Sequence, residues 1–232
     1  MKYDSIYTGV FLERQNRFVA RVEMDGREER VHVKNTGRCA ELLVPGNRVY
    51  LEKSDAVGRK TAYDLVAVEK RIPEGVRLVN MDSMAPNLAA REWLESGALG
   101  SLQNLRAEAT IGDSRFDFCA EQDGRRVVIE VKGCTLEEDG VTRFPDAPTE
   151  RGVKHVRGLI ELAKQGCRCV ILIVIQMKGV RVFRPNWETH PAFGEALLEA
   201  QAAGVEVIAV DCKVVPGNVN IDRRISVDLT KR

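Results

Sequence analysis

The feature that most constrains this chain is Asp123-Gly124, a turn signal between two strand-like segments. Asp-Gly flanked by alternating apolar residues is the strongest short-range signal for a β-hairpin. The flanking segments are SRFDFCAEQ (residues 114–122) and RRVVIEVKG (residues 125–133). The sequence therefore predicts two antiparallel strands joined by a two-residue turn, which sets the register of every pair between them.

Three charged residues of this hairpin are predicted to lie close together. Side chains alternate across a strand, so Glu130 and Lys132 share one face with Val128. The other face carries Val127, Ile129 and Val131. With Asp123-Gly124 as the turn, Asp117 is directly opposite Glu130, with Cβ atoms about 4.5–5.5 Å apart. Two opposed carboxylates repel each other unless a cation neutralises them.

This set of side chains suits a hard divalent cation. Mg²⁺ takes oxygen ligands, keeps several waters and binds one or two carboxylates. A metal can acidify a bound water and stabilise charge on a phosphate, while a lysine orients the nucleophile or shares that charge. We therefore predict a Mg²⁺ (or Mn²⁺) site at Asp117 and Glu130 beside Lys132, suited to phosphodiester hydrolysis. The alternative is a group of solvated charges on an exposed strand face.

Composition limits the partners and the compartment. A formal net charge of +1 means that nucleic-acid binding must come from a local basic patch. The longest apolar run, residues 169–175, falls far short of the ~20 residues of a membrane span. The first ten residues lack the apolar core of a signal peptide. Six cysteines without a C-x-x-C pair favour free thiols in a reducing cytoplasm over zinc or disulfides.

Residues 1–82 are predicted to form a small β-barrel of the oligonucleotide/oligosaccharide-binding type, which would bind nucleic acid. Short strands recur here, one pair around the hairpin signal Asp25-Gly26 and another across residues 48–70. NTGRCAELL (residues 35–43) is predicted to form a short helix, with Thr36 as its N-cap. Phe18 is assigned to the core, and a β-sandwich is the alternative architecture.

Residues 83–232 are predicted to form an α/β layer with a mixed sheet flanked by helices. A helix with Pro86 in its first turn precedes three strands, of which the last two form the hairpin. A second helix over residues 149–165, a buried strand over 169–177, a helix near 192–203 and a last strand, VEVIAV, follow.

The helix over residues 149–165 has one basic and one apolar face. At 100° per residue, Arg151, Lys154 and His155 fall together, opposite the apolar positions. Thr149 is a plausible N-cap, so free backbone amides and the positive end of the helix dipole lie near these side chains. Such an end can bind phosphate. The alternative is an ordinary solvated basic face.

Four strings, SRFDF, IEVKG, FPDAPTERGVKH and NTGRCAELL, together resemble the sugar fermentation stimulation protein A (SfsA) family, in order and along nearly the whole chain. The resemblance implies a C-terminal part similar to the PD-(D/E)XK restriction-endonuclease-like fold behind a small barrel. It also implies DNA binding without sequence specificity and a regulatory role in sugar (maltose) metabolism.

The resemblance also implies roles for individual residues. It makes Asp117, Glu130 and Lys132 the catalytic set and Glu108 a further metal ligand. It brings the second helix beside these acids, which favours His155 as a phosphate donor over a general base. The residues expected to contact DNA are Thr149, Arg151, Lys154 and His155 in the C-terminal part, and Asn35 and Arg38 in the barrel.

Three functional hypotheses follow. The first is a Mg²⁺-dependent nuclease, and the second is a DNA-binding regulator that keeps the fold without cutting. The third is a module that binds RNA or a small anion around a structural metal. The sequence predicts no membrane partner and leaves the oligomeric state open.

Overall fold

A computed structural model describes residues 1–54 and 58–231 of the chain. Within these residues the strands form one sheet of six and one sheet of nine, accompanied by three helices. No helix in the described residues is both long and apolar enough to cross a membrane.

The six-stranded sheet contains a closed barrel. The strand order is β3-β2-β1-β4-β5-β6, and an additional parallel pairing of β3 with β5 joins His32 to Asp64 and closes five strands on themselves. This confirms the predicted barrel and excludes the sandwich. The strands are β1 (Ile6–Arg14), β2 (Val19–Met24), β3 (Arg27–Val33), β4 (Arg48–Lys53), β5 (Tyr63–Ile72) and β6 (Gly75–Asn80).

The predicted helix over residues 35–43 is wrong. The segment forms turns only, in which the amides of Leu42 and Leu43 both donate to the carbonyl of Cys39. The backbone φ of Cys39 is +47°, which a helix does not allow. Instead of bonding along a helix, the carbonyls of residues 35–38 accept hydrogen bonds from Arg14 and Arg17. Thr36 therefore caps nothing.

The nine-stranded sheet confirms the predicted mixed α/β layer. Its order is β10-β11-β13-β15-β14-β12-β9-β8-β7, with parallel and antiparallel pairs. The elements are α1 (Ala85–Glu95), β7 (Gln103–Ile111), β8 (Ser114–Gln122), β9 (Arg125–Cys134), β10 (Glu137–Glu138), β11 (Val141–Phe144), α2 (Glu150–Lys164), β12 (Arg168–Ile175), β13 (Val182–Pro185), α3 (Pro191–Ala202), β14 (Glu206–Val215) and β15 (Asn218–Val227).

One strand follows the predicted last strand, VEVIAV, which belongs to β14. β14 turns at Gly217, where φ is +82°, and returns as the antiparallel strand β15. Five of the ten residues of β15 are polar and exposed, and its apolar residues stand singly between polar ones and form no continuous run.

Both faces of the central strands are covered. β12 lies between β9 and β14, parallel to each, and all its residues from Cys169 to Ile175 are almost fully buried. One apolar cluster joins α1 to Ile129 and Val131 of β9, and another joins α2 and α3 to Val128. The second cluster also contains core residues of the barrel, so the barrel packs directly against the nine-stranded sheet.

Candidate functional site

The hairpin between β8 and β9 has the predicted register. Its paired residues run from Gln122–Arg125 to Phe118–Ile129, around a turn in which Asp123 and Gly124 both have positive φ. The ladder ends there, one position before Asp117 would meet Glu130. At that position the two strands separate, and the side chain of Asp117, instead of a backbone carbonyl of β8, accepts the hydrogen bond of a β9 amide.

Asp117 is held by two hydrogen bonds, one to each carboxylate oxygen. The backbone amide of Val131 donates to Oδ2 at 2.8 Å, and the side-chain amide of Asn87 donates to Oδ1 at 2.8 Å. Val131 belongs to β9, whereas Asn87 belongs to the first turns of α1. The carboxylate therefore has a defined orientation before any ligand binds.

Glu130 lies beneath α2 and is only 2 % exposed. Its Oε1 accepts hydrogen bonds from Lys132 Nζ at 2.5 Å and from His155 Nδ1 at 2.5 Å. Its Oε2 is buried and has no hydrogen-bond partner among the described residues. A buried polar atom of this kind is rare and needs an explanation. The burial also excludes the alternative of a solvated charge pair on an exposed strand face.

Asp117, Glu130 and Lys132 line one cleft of about 230 Å³. Arg115 and Arg151 lie on its wall. The structure thus brings together the three residues that the hairpin register and the family resemblance placed side by side.

Glu108 also lines this cleft but does not join the other two acids. Its side chain is 72 % exposed and lies 3.7 Å from an Nη atom of Arg115. Within the described residues, no three Asp, Glu, His or Cys side chains are grouped closely enough to hold a metal. The predicted three-carboxylate ligand set is therefore not assembled, and two carboxylates, Asp117 and Glu130, remain.

Helix α2 begins as predicted, because the Thr149 hydroxyl accepts a hydrogen bond from the Gly152 amide at 3.1 Å. Arg151 reaches the cleft, whereas Lys154, although exposed, does not line it. Thr149 uses its hydroxyl for the cap.

His155 differs from the predicted phosphate donor. It is buried, with Nδ1 bonded to Glu130 and Nε2 placed 3.4 Å from the Nε of Arg151. Because Arg151 can only donate, Nε2 is the acceptor and Nδ1–H is the donor to Glu130. Neither ring nitrogen is left for a phosphate.

Of the two barrel residues predicted to contact DNA, one is occupied by hydrogen bonds within the fold and the other is exposed. Asn35 donates to the carbonyl of Met81 at 2.9 Å and accepts from the Gly37 amide at 2.7 Å, so both ends of its amide serve the fold. Arg38 is exposed.

Asn87 is a site residue that sequence reasoning missed. The string Pro86-Asn87 marks the start of a helix, but it holds no information about which strand the helix covers. Gly133 permits α1 to approach β9 closely, since a Cβ at this position would lie 2.7 Å from Pro86 Cγ and 2.7 Å from Gln176 Oε1.

Comparison with known proteins identifies the family. The model of the sugar fermentation stimulation protein RE domain matches residues 84–218, and that of the SfsA N-terminal OB domain matches residues 12–80. The chain belongs to the sugar fermentation stimulation protein family. The resemblance seen in the sequence is thereby confirmed.

Relatives of this family match over their whole length. A sugar fermentation stimulation protein homolog of Desulfitobacterium hafniense is 50% identical over 231 residues, which is 100% of both chains. A homolog of Ruminiclostridium cellulolyticum is 49% identical over 230 residues, 99% of this chain and 100% of that one. The solved structure of Pyrococcus furiosus SfsA in complex with Ca²⁺ covers 98% of both chains, with a TM-score of 0.86 and 29% identity.

The cleft of this family member fits a divalent cation. No described residue donates a hydrogen bond to Glu130 Oε2, and Asp117 supplies a second carboxylate that is already oriented. Oxygen donors in this number suit Mg²⁺, which completes its shell with water.

Proposed function

We propose that this chain binds DNA through the sugar–phosphate backbone, with a divalent cation held between Asp117 and Glu130. The observation that carries the proposal is the buried, unpartnered Oε2 of Glu130. An ionised oxygen removed from water without a partner is costly, and a bound cation offsets that cost. A cation there would also neutralise part of the charge on a phosphate in the cleft.

The solved relative supports the choice of metal. The structure of Pyrococcus furiosus SfsA is a complex with Ca²⁺. Ca²⁺ and Mg²⁺ are both hard cations with oxygen ligands, but Mg²⁺ is bound through fewer protein groups and more waters. Two carboxylates therefore make Mg²⁺ or Mn²⁺ the proposed cation of this chain.

Basic side chains around the cleft support backbone contacts. Arg115 is 58 % exposed on β8, and Arg151 lies in the first turn of α2 with Lys154 one turn further along. The N-terminal end of a helix attracts phosphate through its free amides and its dipole. Contacts of this kind recognise any sequence. The shared name of the relatives is the reason to place this binding in the regulation of sugar metabolism.

DNA binding of this kind is expected to weaken steeply with salt, because bound phosphates release counterions. Replacing Lys154 with glutamine is expected to lower the slope of log K against log[salt] by about 0.9, the value for one phosphate contact. Fluorescence anisotropy of a labelled duplex, with and without Mg²⁺, measures both quantities.

Lys164→Gln is the matched control, because Lys164 lies in the last turn of the same helix and its ammonium pairs with Glu161. The control should bind like the wild type. Affinity that does not change with salt would rule out the phosphate-contact proposal.

A second candidate function is cutting of the bound DNA. The observation that favours it is the ammonium of Lys132 at the metal cleft, 2.5 Å from Glu130 Oε1, where it can orient a nucleophile or share phosphate charge. If the site cuts, Lys132→Met is expected to slow cleavage at least about a hundredfold and to leave DNA affinity nearly unchanged.

Incubation with Mg²⁺ or Mn²⁺ and duplex, single-stranded and branched DNA tests this candidate. Lys213→Met, at an exposed position on β14, is the control and should cut like the wild type. If none of the three substrates is cut, the chain is a binding protein and not a nuclease. Metal binding without any DNA binding would favour the RNA or small-anion module instead.

A further inference from the structure

Three arginines of the barrel lie close together, around the loop that follows β3. Arg14 ends β1, Arg17 lies in the turn that follows, and Arg38 lies in the loop after β3. None of them forms an ion pair within the described residues, whereas neighbouring Arg21 pairs with Glu13 and Glu28. The cluster is therefore a local positive patch on a chain of nearly zero net charge.

Arg14 is the centre of this patch. Its guanidinium donates to five backbone carbonyls and forms no ion pair with a carboxylate in the part of the chain that the structure describes. The acceptors are the carbonyl oxygens of Asn16 at 3.2 Å, Gly37 at 2.7 Å, Arg38 at 2.6 Å, Arg17 at 2.7 Å and Asn35 at 2.8 Å. This arrangement fixes the backbones of Arg17 and Arg38 on either side of one cation.

The other two arginines keep free donors. Arg17 donates through Nε to the carbonyl of Thr36 at 3.1 Å, and its two Nη groups make no hydrogen bond to a described residue. The side chain of Arg38 is exposed and likewise makes none. Two exposed guanidinium groups thus keep free donors, with the planar geometry that binds phosphate.

Phe18 adds an aromatic surface to the patch. It is 51% exposed, and it is the one phenylalanine among the exposed large hydrophobic residues that the structure describes. The assignment of Phe18 to the core is therefore wrong. Its backbone is held by the Asn16 side chain at 2.9 Å and by the Val33 amide at 2.8 Å, so the ring projects from a rigid turn.

The patch adjoins the metal cleft through the loop after β3. The carbonyl of Lys34 accepts from the amide of Ser83, which lines the cleft. Gly37 packs against the carboxylate of Asp146, in the segment that leads into α2. The loop that carries Arg38 therefore contacts both a residue of the cleft and the segment that leads into α2.

We propose that Arg17, Phe18 and Arg38 bind a single-stranded segment of DNA next to the metal cleft. One base stacks on Phe18, and the two guanidinium groups bind the adjacent phosphates. In a duplex, the faces of each base are covered by the neighbouring bases. A base that stacks on the exposed phenyl ring must therefore be unstacked from its neighbours. This inference rests on the proposed DNA binding and specifies the form of DNA that the protein prefers.

The test uses the full chain and measures anisotropy of a labelled oligothymidylate of about 15 nucleotides, a length within the range of one barrel of this type. Phe18→Ala is expected to weaken binding of this strand about tenfold and to leave binding of a blunt duplex unchanged. Phe18→Tyr should retain most of the affinity. Val76→Ala, at another exposed apolar position (59%), is the matched control.

The arginines are tested in the same way. Arg38→Gln is expected to weaken binding of the strand and to lower its salt slope by about 0.7, the value for one contact on single-stranded DNA. Arg71→Gln, an exposed arginine without an ion pair among the described residues, should leave both unchanged.

Three outcomes would overturn the inference. Phe18→Ala could have no effect, or it could weaken strand and duplex equally. Oligouridylate could bind while oligothymidylate does not, which would assign the patch to RNA. If the wild type binds duplex and Phe18→Ala has no effect on either DNA, only this inference fails. If the wild type binds no DNA at all, the proposed function fails as well.

Discussion

Replacing Glu130 with glutamine is expected to abolish the stabilisation that Mg²⁺ gives to the wild-type protein. A cation at a hundred times its dissociation constant stabilises the folded state by about 2.7 kcal/mol. For a chain of this length that corresponds to a rise in Tm of about 5–10 °C. Glutamine keeps the shape of Glu130 but lacks the charge and the unpartnered carboxylate oxygen, so the rise should disappear, together with any cutting of DNA.

Thermal unfolding across a titration of Mg²⁺, Mn²⁺ and Ca²⁺ measures this effect. Glu121→Gln is the matched control, because Glu121 lies at the other end of β8, is exposed, and is remote from the cleft in register. The control should gain as much stability from the cation as the wild type. An equal gain in Glu130→Gln would show that the cation binds elsewhere and would remove the main support for the metal site.

Replacing Asp82 with alanine is expected to lower the free energy of unfolding by about 3 kcal/mol. Asp82 is fully buried, and its Oδ2 lies 2.8 Å from Lys34 Nζ and 3.2 Å from the hydroxyl of Tyr3. Removing one partner of a buried pair leaves the other charge uncompensated. The loss falls at the lower end of the usual range because Glu52, 3.7 Å from Lys34, still offers a weaker partner.

Lys34 and Tyr3, the two groups that bond to Asp82 Oδ2, have pKa values shifted by burial and by neighbouring charges. Burial alone would lower the pKa of Lys34, but the hydrogen bond and charge of Asp82, together with the charges of Glu52 and Asp64, outweigh burial and raise it. Burial, followed by the charge of Asp82, raises the pKa of Tyr3. Both groups therefore keep their protons at neutral pH.

Urea unfolding measures the expected loss. Asp4→Ala, at an exposed position without an ion pair in the described residues, should change the free energy of unfolding by less than about 0.5 kcal/mol. Adding Lys34→Met to Asp82→Ala should recover part of the loss, because the unpaired charge is then gone. If Asp82→Ala lowers the free energy of unfolding by less than about 1 kcal/mol, Asp82 does not compensate the charge of Lys34.

Asp82 also connects the barrel to the metal cleft. Its Oδ1 accepts from the amide of Met84 at 2.8 Å, directly before α1, and α1 carries Asn87, which orients Asp117. We expect Asp82→Ala to weaken cation binding as well, in the titration described for Glu130.

Local patterns predicted much of the fold and the centre of the site. The Asp123-Gly124 turn and the alternation along β8 and β9 were enough to place Asp117 near Glu130, because a two-residue turn sets the register. The amphipathic pattern located α2, and Thr149 is its N-cap. β15 was not predicted, although Val219, Ile221, Ile225 and Val227 alternate with polar residues as in a half-buried strand.

The sequence by itself determined which residues share a strand face, where the main turns lie and which family the chain resembles, since these follow from neighbours along the chain. Only the tertiary structure decided that α2 covers Glu130, that His155 bonds to it, that Asn87 orients Asp117 and that Phe18 stays exposed. These contacts join segments that are far apart in the sequence. They depend on how helices pack on the sheet and how the barrel closes, and no local periodicity encodes that packing.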